Sequence, residues 1–70
     1  MTTGRIALFD REIGCGCVQA DGDRVVHCFY RACIAPDYLP RKGDYVAFNV
    51  RANPRSGGTE AFKIHLLAAA

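Results

Sequence analysis

Seventy residues, half of them hydrophobic, provide for one domain with one small core and exclude a large enzyme built around a deep cleft. Ten of the hydrophobic residues are Ala and four are Cys, so 21 larger side chains must fill the interior. Nine Lys and Arg against seven Asp and Glu give a net charge of +2, which permits a polyanionic partner without demanding one.

No apolar run approaches the roughly 20 residues that a membrane helix needs, and Met1-Thr-Thr-Gly-Arg5 lacks a secretory apolar core. The expected location is therefore the cytoplasm, with no membrane partner. In that reducing compartment the four cysteines are expected as thiols rather than as two disulfides.

Residues 1–70 carry no repeat or low-complexity tract and read as a single unit. Gly and Pro divide it into five short segments, the first four with near-alternating apolar and polar residues. The first strand is expected over Gly4 to Asp10, the second over Cys15 to Gln19 and the third over Arg24 to Phe29, with Ala20-Asp21-Gly22 as the turn between the last two. Residues 30–43 contain Pro36 and Pro40 and read as a loop with room for one helical turn. The fourth strand spans Asp44 to Arg51, where Val46, Phe48 and Val50 alternate with polar or small residues. The fifth runs from Glu60 to Leu67, entered through Pro54-Arg-Ser-Gly-Gly58. Helix is feasible only over 28–35 and over Leu66 to Ala70, both too short to be stable alone. Five short strands with glycine-rich turns indicate an all-β barrel or small sandwich, and closing a barrel removes exposed strand edges.

Gly4-Arg-Ile-Ala-Leu-Phe-Asp10, Gly14-Cys-Gly-Cys-Val18, Val25-Val-His27 and Gly43-Asp-Tyr-Val-Ala-Phe48 together resemble a cold-shock domain, with matching spacing over nearly the whole chain. The resemblance implies a five-stranded antiparallel Greek-key barrel of the oligonucleotide-binding type. It also implies a binder of single-stranded RNA or DNA, acting as an RNA chaperone or regulator. The departures fall on the binding motif. The family's Lys-Gly-Phe-Gly-Phe is matched by Ile13-Gly14-Cys15-Gly16-Cys17, its first-strand tryptophan by Leu8, and its Phe-Val-His-Phe by Val25-Val26-His27-Cys28. His27 is what survives of the aromatic platform, with Phe9 beside it. Each lost stacking residue removes about 1–3 kcal/mol per base, so the expected affinity is weakened and mainly electrostatic.

Two hairpin loops are open at Asp21-Gly22. A two-residue loop sets Cys17 opposite Val26 and Cys15 opposite Cys28. A three-residue loop sets Cys17 opposite Val25 and Cys15 opposite His27. One residue of slip moves every third-strand side chain to the other face. The resemblance implies the second register, with His27 on the outer face, Val26 toward the barrel and Arg24 at its rim. In either register Gly14 and Gly16 admit a bend or a close backbone approach.

The candidate nucleic-acid contacts are Leu8, Phe9, Cys15, Cys17, Val25, His27, Cys28, Tyr30, Tyr38 and Arg55. Arg5, Arg11, Arg24, Arg31 and Lys63 offer further phosphate contacts. Phe9 and Phe29 are equally read as core, and Tyr30 and Tyr38 as caps of the long loop. Cys15, Cys17, His27 and Cys28 could instead hold Zn²⁺ or Cu(I), with Cys33 as a fourth sulfur, although Cys-x-Cys is not the usual structural-zinc spacing. A thiol enzyme would need a base and an oxyanion site; only His27 could supply the former, so the chain is not read as an enzyme. Nothing in the pattern calls for a cofactor. The alternative from a different class is a barrel that binds a protein partner, for which the mark would be a flat apolar outer face free of cations.

Overall fold

The computed structural model describes residues 1–55 and 57–69. Five strands occupy most of the chain: β1 (Thr2–Asp10), β2 (Cys15–Ala20), β3 (Val26–Tyr30), β4 (Tyr45–Ala52) and β5 (Thr59–Ala68). One 3₁₀ turn, Arg31–Cys33, opens the long loop. The strands close into a barrel in the order β1-β2-β3-β5-β4, with β4 returning beside β1. The barrel is not wholly antiparallel. β3 meets β5 in parallel at Cys28 and Glu60, and a parallel bridge between Ile34 and Ile64 extends that seam. The tail expected as a possible helix continues β5 through Leu66 to Ala68; Ala70 lies outside the described residues. No helix among the described residues is long and apolar enough to cross a membrane.

Alternation fills the interior. Ile6, Val18, Phe29, Val46, Phe48 and Ile64 are the largest fully buried side chains, one or two from each strand. In β1 strict alternation after Gly4 and Ile6 would send Leu8 inward. Instead a bulge at Ala7 lets Ile6 pair with Val18 and Leu8 with Cys17, so Leu8 turns outward and Phe9 inward. Phe9 pairs with Gly16, which pairs with Phe29, and the two rings stack across that glycine with centroids 5.9 Å apart. A Cβ on Gly16 would collide with the Leu8 carbonyl oxygen and meet Phe29 Cζ. The glycine therefore lets two strands and two rings come together.

The β2–β3 hairpin takes neither expected loop. Its connection is Asp21 to Arg24, four residues, because the Ala20 amide bonds the Val25 carbonyl at 2.9 Å. Asp23 Oδ1 accepts from the Val25 amide at 3.0 Å, and Arg24 sits at φ 57°. Asp21 is tied back to β1, accepting from Thr3 Oγ1 at 2.9 Å through its carboxylate. The resulting pairs are Gln19 with Val26, Val18 with His27, Cys17 with Cys28, Gly16 with Phe29 and Cys15 with Tyr30. The face of β3 is thereby the opposite of the one expected. His27 and Phe29 are buried, whereas Val26, Cys28 and Tyr30 are exposed.

Candidate functional site

The outer face of β1-β2-β3 is a small grid set by that register. Leu8, Cys17 and Cys28 form one row; Asp10, Cys15 and Tyr30 form the next toward the long loop; Arg5, Gln19 and Val26 form the row on the other side. Leu8 is 59% exposed, Val26 52% and Tyr30 46%, which makes the centre of the face apolar, thiol-bearing and accessible. Cys15 and Cys17 are partly covered and Cys28 is exposed, all as free thiols. Burial, then the neighbouring Cys28 and Cys15 thiols, raises the Cys17 pKa above its ordinary value.

Arginines border this face. Arg5 lies over the Tyr45 ring at 5.2 Å and donates to the Gly43 carbonyl at 2.9 Å, which fixes its stem beside the grid. Arg31 follows Tyr30 directly. Its guanidinium donates to the Arg11 carbonyl at 2.6 Å, and its amide bonds the Gly14 carbonyl at 2.7 Å. Gly14, at φ +79°, closes the β1–β2 turn by donating to the Asp10 carbonyl at 2.7 Å. Gly14 thus terminates the grid and seats the arginine at its edge.

Beyond Arg31 the face runs into an open groove of about 900 Å³ lined by Phe9, Arg11, Arg31, Ile34, Tyr38 and Leu39. Its far wall is tied together by hydrogen bonds. The Tyr38 hydroxyl donates at 2.7 Å to the carboxylate of buried Asp44, which also accepts from the Arg41 amide at 3.0 Å. Burial and that carboxylate hold the Tyr38 pKa far above the ordinary phenolic value.

The expected site residues divide accordingly. Leu8, Cys15, Cys17, Cys28 and Tyr30 come together on the outer face, and Phe9 and Tyr38 meet in the groove. Phe9 is half-buried against the core and still lines the groove, so it serves in both readings. Phe29 is core alone.

Two expected contacts do not belong to the face. His27 is 7% exposed, packs on Phe48 with centroids 6.0 Å apart, and shares a 2.6 Å hydrogen bond through Nδ1 with Thr59 Oγ1. Val25 pairs with buried Ala20 at the loop end of the hairpin, on the parity of the inner face rather than on the grid. The expected pairings of Cys15 with His27 and Cys17 with Val25 are replaced by Cys15 with Tyr30 and Cys17 with Cys28. Arg24 is exposed in the loop itself. The cause of all these differences is the longer turn, which shifts β3 against β2.

The metal cluster fails for the same reason. His27 points to the side of the sheet opposite Cys15, Cys17 and Cys28. Cys33 is buried elsewhere, its thiol donating to Glu60 Oε1 at 3.6 Å. Among the described residues no group of three or more His, Cys, Asp or Glu side chains comes together to hold a metal.

Arg55 is exposed in the loop between β4 and β5, its amide donating to Asn53 Oδ1 at 3.0 Å; its neighbour Ser56 lies outside the described residues. The bond from this end of the barrel to β3 is made after the loop, by the first residue of β5, through Thr59 and His27. Lys63 is exposed on β5 at φ 53°, away from the grid. The Val26 position was missed by sequence reasoning, and Asp23 carries the signal that could have found it. An Asp two residues before Val25 can cap that amide and lengthen the turn. No protein-family model matches the chain, and no curated protein sequence is significantly similar to it.

Proposed function

We propose that this chain is a cold-shock-like, Greek-key binder of single-stranded nucleic acid, with weak and mainly electrostatic affinity. The observation that carries the reading is the continuity of one surface. The outer-face row of Leu8, Cys17 and Cys28 adjoins Tyr30, and Tyr30 leads to the groove where Arg31, Arg11, Phe9 and Tyr38 meet. Tyr30 offers a stacking ring, the small thiols leave a flat bed beside it, and Arg5, Arg11 and Arg31 follow the backbone phosphates. Asp10 and Glu12 flank Arg11 in the chain, and Glu12 lines the groove with Arg11 and Arg31, which lowers the local potential and accords with weak binding. We place the domain in the cytoplasm, where a reducing environment keeps thiols such as these available.

The protein-partner alternative required an apolar face free of cations, and Arg5 and Arg31 at the two ends of the grid weigh against it. The test is a titration with a pyrimidine-rich heptamer, as RNA and as DNA, at low salt, followed by backbone amide shifts. The expected shifts fall on residues 8–31 and around Tyr38. Affinity should drop steeply with salt as counterions are released, and Arg31→Ala should weaken it several-fold. An absence of shifts on this face at high micromolar oligonucleotide would refute the reading.

A further inference from the structure

Cys17 and Cys28 are directly opposite one another on neighbouring antiparallel strands. Whether such a pair can be bridged depends on its place in the hydrogen-bond ladder. Ala20 donates to its own partner Val25, and Arg31 donates to Gly14, so the bonded pairs fall at Ala20–Val25 and Gly14–Arg31. Bonded and non-bonded pairs alternate along an antiparallel ladder. Counting inward from either end along the register, Val18–His27 is a bonded pair and Cys17–Cys28 a non-bonded one. Non-bonded pairs bring the Cα atoms to about 4.5 Å and the side chains closest, within the range a disulfide spans. Both side chains are on the outer face, and Cys28 is exposed.

From this juxtaposition we propose that Cys17 and Cys28 form a reversible cross-strand disulfide, an oxidative modification site at the centre of the β1-β2-β3 face. The inference stands on the register and is independent of what that face binds. The other thiols are excluded by position. Cys15 is diagonal to Cys28, about 7–8 Å away between Cα atoms, and Cys33 is buried against Glu60. The oxidant is a low-molecular-weight disulfide, R–S–S–R. The exposed Cys28, as thiolate, attacks one sulfur and releases RS⁻, giving a mixed disulfide. Cys17 sulfur then attacks the Cys28 sulfur of that bond, releasing a second RS⁻ and closing the ring. The two thiol protons end on two RSH, and the two electrons taken from the cysteines reduce the external disulfide.

The test equilibrates the full chain with reduced and oxidised glutathione in graded ratio. The protein is then denatured and alkylated, and remaining thiols are counted by mass. At an oxidising ratio the monomer should lose two of its four alkylatable thiols and two hydrogens of mass. Tryptic cleavage after Arg11, Arg24 and Arg31 should release peptide 12–24 linked to peptide 25–31, with fragmentation placing the bond on Cys17. Cys15→Ser should retain the link, and Cys28→Ser should abolish it. The proposal is overturned by four alkylatable thiols at every ratio, by a bond localised to Cys15 or Cys33, or by disulfides formed only between molecules.

Discussion

At the scale of single residues, Gly16 does more than loosen a strand. It lies between Phe9 on β1 and Phe29 on β3, and its missing side chain is what lets the rings stack over β2. The obstacles to a Cβ are the Leu8 carbonyl and the Phe9 Cα, backbone atoms that cannot swing aside, together with the ring of buried Phe29. Gly16→Ala should therefore cost about 1–3 kcal/mol of stability, as overpacking does in other tight interiors. Urea denaturation measures it directly, and an unchanged midpoint would show that the strands separate easily there. Glu60 is a second such residue. It accepts from Arg51 Nε at 2.8 Å and from the Cys33 thiol, so a nearly buried carboxylate has two donors. Arg51 in turn covers the Phe62 ring at 4.6 Å.

At the scale of the element, everything about the site turns on the β2–β3 hairpin. The five strands, the long loop with its single helical turn and the outward Leu8 were legible from spacing, glycine positions and resemblance. The face of β3 was not, because side-chain parity depends on loop length, and Asp21-Gly22 is compatible with more than one loop. A hydrophobic pattern could not arbitrate either. Val26, His27 and Cys28 follow one another without clear alternation, and the histidine takes the interior because Thr59 satisfies its Nδ1. The Tyr38–Asp44 bond had no local signal, since it joins the middle of the proline-containing loop to its C-terminal end. The observed parity makes an asymmetric pair of expectations. Val26→Thr, on the exposed side, should change stability by no more than about 0.5 kcal/mol. His27→Ala should cost roughly 2–4 kcal/mol, through the cavity left against Phe48 and the lost bond to Thr59. Equal effects, or the reverse order, would mean that the strand sits in the other register.

At the scale of the whole molecule, stability should be sensitive to alkali more than its modest charge implies. Below the arginine range, two groups among the described residues hold their protons more tightly in the folded chain than in the unfolded one. Tyr38 is raised by burial and by its bond to Asp44, and Cys17 by burial and the adjacent thiols. For both, the unfolded chain releases the proton first as pH rises, so the folded state binds more protons over that interval. Stability therefore falls with pH there. The contribution is complete below the ordinary cysteine value of 9.0 and begins to be lost above it. The loss steepens past the ordinary tyrosine value of 10.0, where ionised Tyr38 would face the Asp44 carboxylate. Urea midpoints taken under reducing conditions from neutral pH upward should follow this course. Tyr38→Phe should lower the neutral midpoint by removing the bond to Asp44, and should flatten the steeper, upper part of the decline. Cys17→Ser should remove only the earlier part. A midpoint that stays level through the alkaline range in the unmodified chain would show that neither proton is held by the fold. The two variants separate the contributions because Tyr38 lies in the groove and Cys17 on the grid, in different hydrogen-bond networks whose effects should add.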